Sequence, residues 1–251
     1  MTVSVAMRAA AVSETGMVRQ NNEDSAYSGR WLHAVADGLG GHAAGEVASA
    51  AVIGILAACD AEHEPGSLLE VLGRAVAEAN AEVGRLVAED PARLGMGTTL
   101  TALLRSGAQA ALVNIGDSRA FRLRDGHLRQ LTEDHILGNL VSNAGATAPV
   151  LVRYLDGRPD RSPDLGLREL LPGDRYLLCT DGLSPVVTAE AIRDTLAAAP
   201  DPRAVARQLV ALAEDAGAPD NISVIVIDVR EGGEEDAEPV TLGAAAAVLT
   251  G

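Results

Sequence analysis

The chain has no lysine, and all twenty of its basic residues are arginine. That uniformity reads as coding bias before it reads as function. It still removes the lysine a nucleotide-binding P-loop requires, so Gly95-Met96-Gly97 is a close-packing turn and not a phosphate cradle. Cysteine is equally scarce: Cys59 and Cys179 form no CxxC pair, and Cys179 lies in the apolar run YLLC. A disulfide framework is thereby excluded, and a reducing cytosol fits best. Aromatic residues make up 2%, which leaves valine, leucine, isoleucine and alanine to build the core. Positive charge is outweighed, with a formal net charge of -15. A basic face that neutralises nucleic-acid phosphates is therefore not expected, while divalent cations remain suitable partners. No long hydrophobic run is present. The N-terminus lacks the basic-then-apolar pattern of a signal peptide. The most apolar late stretch, residues 242–249, falls well short of the ~20 residues that span a bilayer. The expectation is a cytoplasmic protein without a membrane span.

What is present suffices for one large domain: 251 residues, 47% of them apolar. Apolar runs predict strands at residues 4–12, 31–36, 98–104, 110–115, 120–124, 128–131, 175–180 and 222–229. Three- and four-residue spacing of apolar positions predicts helices at 43–60, 67–88, 188–198 and 202–216. Asp201 before Pro202 reads as a cap followed by a first-turn proline. Residues 138–166 are rich in Gly, Pro, Asn and Asp and read as a loop or flap. Strands and helices come in blocks without strict alternation and without internal repeats. That predicts an α+β fold, antiparallel sheets with helices packed outside. Past Arg230 the composition turns to EGGEEDAEP and then to alanine. The expected division is a folded domain over 1–230 and a mobile acidic, Ala-rich tail over 231–251.

The stretch HAVADGLGGHAAGE, residues 33–46, carries the first chemical signal: Ala34-Val35-Ala36 runs straight into Asp37 on a glycine-rich turn. The pattern recurs at Asp117 in ALVNIGDSR, at Asp181 in YLLCTDGLS and at Asp220 in GAPDNISVIVI. One such aspartate is usually a cap or turn residue. Four at the ends of apolar runs would, if they converge, repel one another enough to raise their pKa values or demand cations. An all-oxygen donor set suits magnesium or manganese, and no His/Cys cluster exists for zinc. Upstream, GMVRQNNEDS supplies Arg19, Asn22, Glu23 and Asp24. An arginine fork grips two phosphate oxygens, and beside an acidic metal centre it suits phosphate-ester hydrolysis. The plainer alternative for Arg19 is a surface ion pair with Glu23 or Asp24.

Seven stretches in order, GMVRQNNEDS, VADGLGGHAAGEVAS, GMGTTL, NIGDSRAFRLRDG, LTEDH, PGDRYLLCTDGLS and GAPDNISVIV, resemble the metal-dependent type 2C Ser/Thr protein phosphatases, especially their bacterial branch. The resemblance covers the chain from about residue 8 to 229. The resemblance implies a four-layer αββα sandwich, two antiparallel sheets face to face with helices outside. It implies a catalytic centre of Arg19, Asp37, Asp181 and Asp220. Asp37 would bridge two manganese or magnesium ions, with the Gly38 carbonyl on one and Asp181 and Asp220 on the other. Asp117, with Asp181, would serve a third, weaker ion. Arg19 would bind the substrate phosphate, and Asn22, Glu23, Asp24 and Asn221 would form the outer shell. A metal-activated water would attack phosphorus without a phosphoenzyme. The implied partners are phosphorylated proteins and a bacterial Ser/Thr kinase, and the implied state is a monomer.

Two departures stand out. Many eukaryotic members place a histidine directly after the Asp-Gly, where this chain has Leu39. His42 comes later and reads as a helix-start residue; His135, in the TEDH turn, reads as structural. The flap after LTEDH is also shorter than is usual in bacterial relatives. Two rival readings predict features the sequence does not show. A catalytically silent binding module of the same fold predicts lost ligand aspartates, and none is lost. A phospho-acceptor receiver domain predicts strict β/α alternation and a late-strand lysine, and neither is present.

Overall fold

The apolar strand runs are buried on both faces, and this sets the architecture. In the run 222–229, Val224 and Val226 face one cluster of apolar side chains while Ile225, Ile227 and Val229 face another. The same alternation sends Leu177 and Cys179 one way and Tyr176 and Leu178 the other. A continuous apolar run with period 2 is what a strand sandwiched between two layers needs.

The computed structural model describes residues 5–40, 44–141, 147–232 and 238–250. In chain order the elements are β1 (Val5–Glu14), β2 (Ser25–Ser28), β3 (Leu32–Ala36), β4 (Gly38–Leu39), α1 (Ala44–Ala57) and α2 (Leu68–Glu89). Then come β5 (Gly97–Thr98), β6 (Leu100–Ser106), β7 (Gln109–Ile115), β8 (Arg119–Arg124), β9 (His127–Gln130), β10 (Ile136–Val141) and β11 (Thr147–Leu151). The chain continues through β12 (Asp164–Glu169), β13 (Arg175–Cys179), α3 (Ala189–Ala198), α4 (Pro202–Asp215), β14 (Ile222–Glu231), β15 (Val240–Gly243) and α5 (Ala244–Thr250).

Two antiparallel sheets form the centre, one in the order β1-β14-β13-β8-β9 and the other β12-β7-β6-β3-β2-β15. Val5, Met7, Val35, Leu103, Leu112, Tyr176, Leu178, Ile225 and Ile227 fill the space between them. Helices α1 and α2 cover the six-stranded sheet through Leu56, Leu72, Val76 and Val83. Helices α3 and α4 cover the five-stranded sheet through Ile192, Leu196, Val205 and Leu209. This is the four-layer αββα sandwich of the sequence reading. Both cysteines are free, with Cys179 buried under the helices. Among the described residues no helix is long and apolar enough to cross a membrane.

Two expectations need correction. Residues 138–166 are not simply a loop: β10 and β11 form a hairpin, and β12 joins the sheet edge beside β7. An edge strand is half exposed, so DLGLRE carries no continuous apolar run to betray it. The 231–251 tail is likewise not one mobile segment. β15 pairs with β2 from Val240↔Ser28 to Gly243↔Ser25, and Ala244 and Ala245 of α5 are buried in the α1 cluster. Alanine composition hid the fact that small side chains let a short helix sit close against its neighbour. Asp201 stands at the N-cap of α4 with Pro202 in the first turn, as expected, although its carboxylate accepts from Arg8 at 3.1 Å and makes no side-chain cap bond.

Candidate metal centre

Antiparallel pairing brings the four strand ends to one rim. Cys179 faces Val224 across β13 and β14, so the residues after β13 meet those before β14. Glu14 faces Ile222, which brings the 15–23 loop to the same end. In the other sheet Ile115 faces Leu100, so Asp117 leaves β7 close to where β6 begins, near the end of β3. Asp37 and Asp117 thus come from the six-stranded sheet and Asp181 and Asp220 from the five-stranded one.

Electrostatics show the four carboxyl groups meeting. Burial first, then the charges of Asp24 and Asp181, push Asp37 well above the usual carboxylate range. Asp37 and Asp181 lie within reach of a hydrogen bond to each other, which favours a proton held between them. Asp181 is raised by burial and then by Asp220. Asp117 is pushed up to about 6 by burial, with the charge of Asp181 next. Among the described residues no three His, Cys, Asp or Glu side chains close into a ready-made metal cage. Asp181 Oδ1 and Asp24 Oδ1 are buried without a hydrogen-bond partner. Buried acceptors of this kind are costly unless something cationic or proton-bearing reaches them. An all-carboxylate and carbonyl set with orphaned oxygens fits a hard divalent cation such as magnesium or manganese.

Each predicted residue has a definite local setting. The backbone of Asp37 is clamped by two threonines: its N–H donates to Thr99 Oγ1 at 3.0 Å, and its carbonyl accepts from Thr98 Oγ1 at 2.8 Å and Thr99 N–H at 2.9 Å. Thr99 Oγ1 also meets Ser118 Oγ at 2.8 Å, tying the Asp37 turn to the Asp117 turn. Gly38 is required by its neighbours, since a Cβ there would lie 2.3 Å from the Gly45 carbonyl and 2.5 Å from that of Glu23. Gly182 is tighter still, its Cβ position 1.9 Å from the Asn221 carbonyl. Arg19 donates to Asp220 Oδ2 at 2.6 Å with about half its side chain exposed. The sequence alternative paired it with Glu23 or Asp24; the partner is Asp220.

The outer residues differ in kind. Asn221 uses its side chain on backbone: Nδ2 donates to the Thr15 and Asn21 carbonyls, and Oδ1 accepts from Glu23 N–H at 2.8 Å. Asn22 accepts from Asp24 N–H and donates to Ser13 Oγ. Glu23 is raised mainly by burial, with Arg19 pulling it back. Asp24 is buried and pushed up to about 7 by that burial, although Thr180 Oγ1 donates to its Oδ2 at 2.7 Å. His135 is structural as expected: Nδ1 accepts from Gly116 N–H, so the ring proton sits on Nε2, which donates to Asp164 at 3.0 Å. His42 lies outside the described residues. Residue-by-residue reading passed over Thr98, Thr99, Ser118 and Thr180. The paired threonines after Gly97 and the Thr before Asp181 were the available signal, because a hydroxyl beside a strand-end carboxylate can clamp it.

The assembly is an αββα sandwich whose two sheets deliver oxygen donors for hard cations, with an arginine, to a shared rim. Residues 13–222 match the family model described as Protein phosphatase 2C, and the chain belongs to that family. It is 43% identical over 252 residues to the serine/threonine protein phosphatase PstP of Mycobacterium tuberculosis, across 96% of this chain and 49% of that protein. The chain therefore spans about half the length of that relative. It is 31% identical over 250 residues to protein phosphatase PhpP of Streptococcus pneumoniae, across 92% of this chain and 100% of that protein. The crystal structure of the PstP catalytic domain in complex with two manganese ions superposes with a TM-score of 0.83 at 45% identity, covering 91% of this chain and 100% of that one.

Proposed function

We propose that this chain is a metal-dependent protein phosphatase that hydrolyses phosphoserine and phosphothreonine on proteins and opposes a bacterial Ser/Thr kinase. The observation that carries the reading is the convergence of Asp37, Asp117, Asp181 and Asp220 from two sheets, with Arg19 bonded to one of them. The relatives named as serine/threonine phosphatases, one of them with two manganese ions, support it.

In this reading Asp37, the Gly38 carbonyl, Asp181 and Asp220 would hold two core ions, and Asp117 with Asp181 would hold a weaker third. Bound manganese or magnesium supplies charge neutralisation for the phosphoryl oxygens and a nucleophile from water near neutral pH. The remaining work falls to side chains. The raised carboxyl groups give up their protons when they take cations, so ion binding is linked to proton release. Arg19, about half exposed in its ion pair with Asp220, would turn its fork to the incoming phosphate. Asn22, Glu23, Asp24 and Asn221 hold the loop that carries it. Leu39 stands at the position of the eukaryotic histidine, so no imidazole there protonates the leaving alkoxide. The protein acts as a cytoplasmic monomer.

The test is hydrolysis of p-nitrophenyl phosphate and of a phosphothreonine peptide with manganese, with chelator, and by Asp181→Asn. Turnover that needs the metal and collapses in the variant supports the reading. A folded, manganese-loaded protein inert toward both substrates would refute it and favour the silent binding module.

A further inference from the structure

The C-terminal strand and helix reach the acidic centre by a route the proposed chemistry does not use. The Ala244 N–H donates to the Asp24 carbonyl at 2.7 Å. Gly243 lies in the left-handed region at φ 68°, and a Cβ there would stand 2.1 Å from the same carbonyl. One residue on, the Ala245 N–H donates to Ser25 Oγ at 3.0 Å. Ser25 Oγ meets Ser49 Oγ of α1 at 2.9 Å, and Ser49 Oγ donates to the Glu23 carbonyl at 2.6 Å. Both serines are fully buried.

A hydroxyl has one proton, so the polarity of this chain is fixed. The Ser49 proton goes to the Glu23 carbonyl at 2.6 Å, the nearer of its two backbone acceptors (that of Glu46 is 3.3 Å away), so Ser49 accepts from Ser25, which in turn accepts from α5. Every link runs one way, from the C-terminal helix to the loop that holds Glu23 and Asp24. Asn221 fixes the Glu23 N–H from the opposite side. The backbone of Glu23 is thus gripped at its N–H by Asn221, the residue before β14, and at its carbonyl by the relay.

We propose that the 240–250 segment is a positioning element for the metal centre, acting through the Ala245–Ser25–Ser49–Glu23 relay and the Ala244–Asp24 bond. The inference rests on the phosphatase reading, because it assigns the segment's effect to ion binding at that centre. Ser25 and Ser49 are positioning residues: they touch neither ion nor substrate, but they set where the Glu23 and Asp24 carboxyl groups stand. Partners of residues near a metal commonly change its affinity by ~10–100-fold.

The experiment measures manganese affinity by calorimetry on the full chain and on Ser25→Ala, Ser49→Ala and Gly243→Ala. Val248→Ala, on the exposed side of α5, serves as control. Metal-free thermal melts and circular dichroism check the fold of each. The expected result is manganese binding weakened ~10-fold or more in the three relay variants and unchanged in the control. Unchanged affinity in folded Ser25→Ala and Ser49→Ala would overturn the positioning role while leaving the phosphatase reading intact. If Gly243→Ala fails to fold, the two serine variants decide alone. A wild-type chain that binds no manganese would overturn both.

Discussion

Replacing Thr180 by valine tests whether the acidic rim is held together from beneath. Thr180 follows β13 in the five-stranded sheet, and Asp24 precedes β2 in the six-stranded sheet. Their hydrogen bond, 2.7 Å from Thr180 Oγ1 to Asp24 Oδ2, joins the two sheets below the metal centre. The same Oγ1 accepts from Ser223 N–H at 2.9 Å. Both side chains are buried, and valine matches threonine in shape. The substitution therefore removes two bonds, orphans one backbone N–H and leaves Asp24 without its best donor. Each loss costs ~1–3 kcal/mol, so the metal-free protein should lose about 3 kcal/mol. For a chain of this size that is a fall of roughly 6–12 °C in the melting midpoint. The pH dependence discriminates further. Asp24 titrates at about 7 in the folded state against 3.8 ordinarily. Stability linked to its protonation is complete below 3.8 and lost as the pH rises through 7. The threonine hydroxyl lowers that value, so its removal makes ionisation harder still. The variant should therefore be penalised more at pH 8 than at pH 5. Melting curves at both pH values, in chelator, are the assay. A loss below ~1 kcal/mol, or one equal at the two pH values, would refute the claim that Thr180 supports a buried Asp24 carboxylate.

Asp60→Ala should be strongly destabilising although Asp60 is only half-buried, because one carboxylate accepts from Tyr27 Oη at 2.9 Å and the N–H groups of Arg30, Trp31 and Leu32 at 3.3, 2.7 and 2.9 Å. A loss of ~3 kcal/mol or more in urea unfolding is expected, and a shift under ~1 would contradict it. His33 is buried against Ser28 and titrates at about 4 instead of 6.5, chiefly through burial. Its neutral form is favoured by folding, so its contribution is whole above 6.5 and lost as the pH falls through 4. His33→Gln should flatten that limb by ~3 kcal/mol, and parallel curves for variant and wild type would sink the assignment. Arg19→Ala should lower kcat/KM for p-nitrophenyl phosphate by ~10–100-fold while leaving manganese affinity within about twofold, since a charge-assisted contact to phosphate is lost and no ligand is. An unchanged kcat/KM would return Arg19 to the role of a plain surface ion pair.

What was legible in the sequence follows from burial. Strands sandwiched between layers must be apolar on both faces, so AVA, YLLC and SVIVI stood out, and so did the aspartates at their ends. β12 and β15 lie at sheet edges and carry no such run, and β2 is only four residues long. Their pairing is decided by partners distant in sequence, which local pattern cannot supply. The same limit hid the hydroxyl clamps. Thr98, Thr99 and Thr180 are ordinary strand residues by propensity, and their function exists only because Asp37 and Asp24 are folded against them. Asn80 is a similar case: on an amphipathic helix it reads as a polar break, yet its side chain binds the backbone of Asp156, Gly157 and Arg158 and ties down the segment after the flap hairpin.

The division of the centre between two sheets has a consequence for its stability. Asp37 and Asp117 move with one sheet, Asp181 and Asp220 with the other, and as their carboxyl groups ionise their like charges push the sheets apart at the rim. The apolar layer between the sheets, including Val35, Leu103, Tyr176, Leu178 and Ile225, opposes that push along its length. At the rim itself the Thr180–Asp24 bond and the Asn221 contacts oppose it directly. A divalent cation bound there would convert the repulsion into attraction, so ion binding and closure of the sandwich are one equilibrium. The rim should therefore be the first part of the metal-free protein to open, with amide exchange fastest around residues 37–39 and 180–182 and slowed there most by manganese. Uniform protection of β13 from end to end, with or without the ion, would show that the core holds the sheets closed unaided.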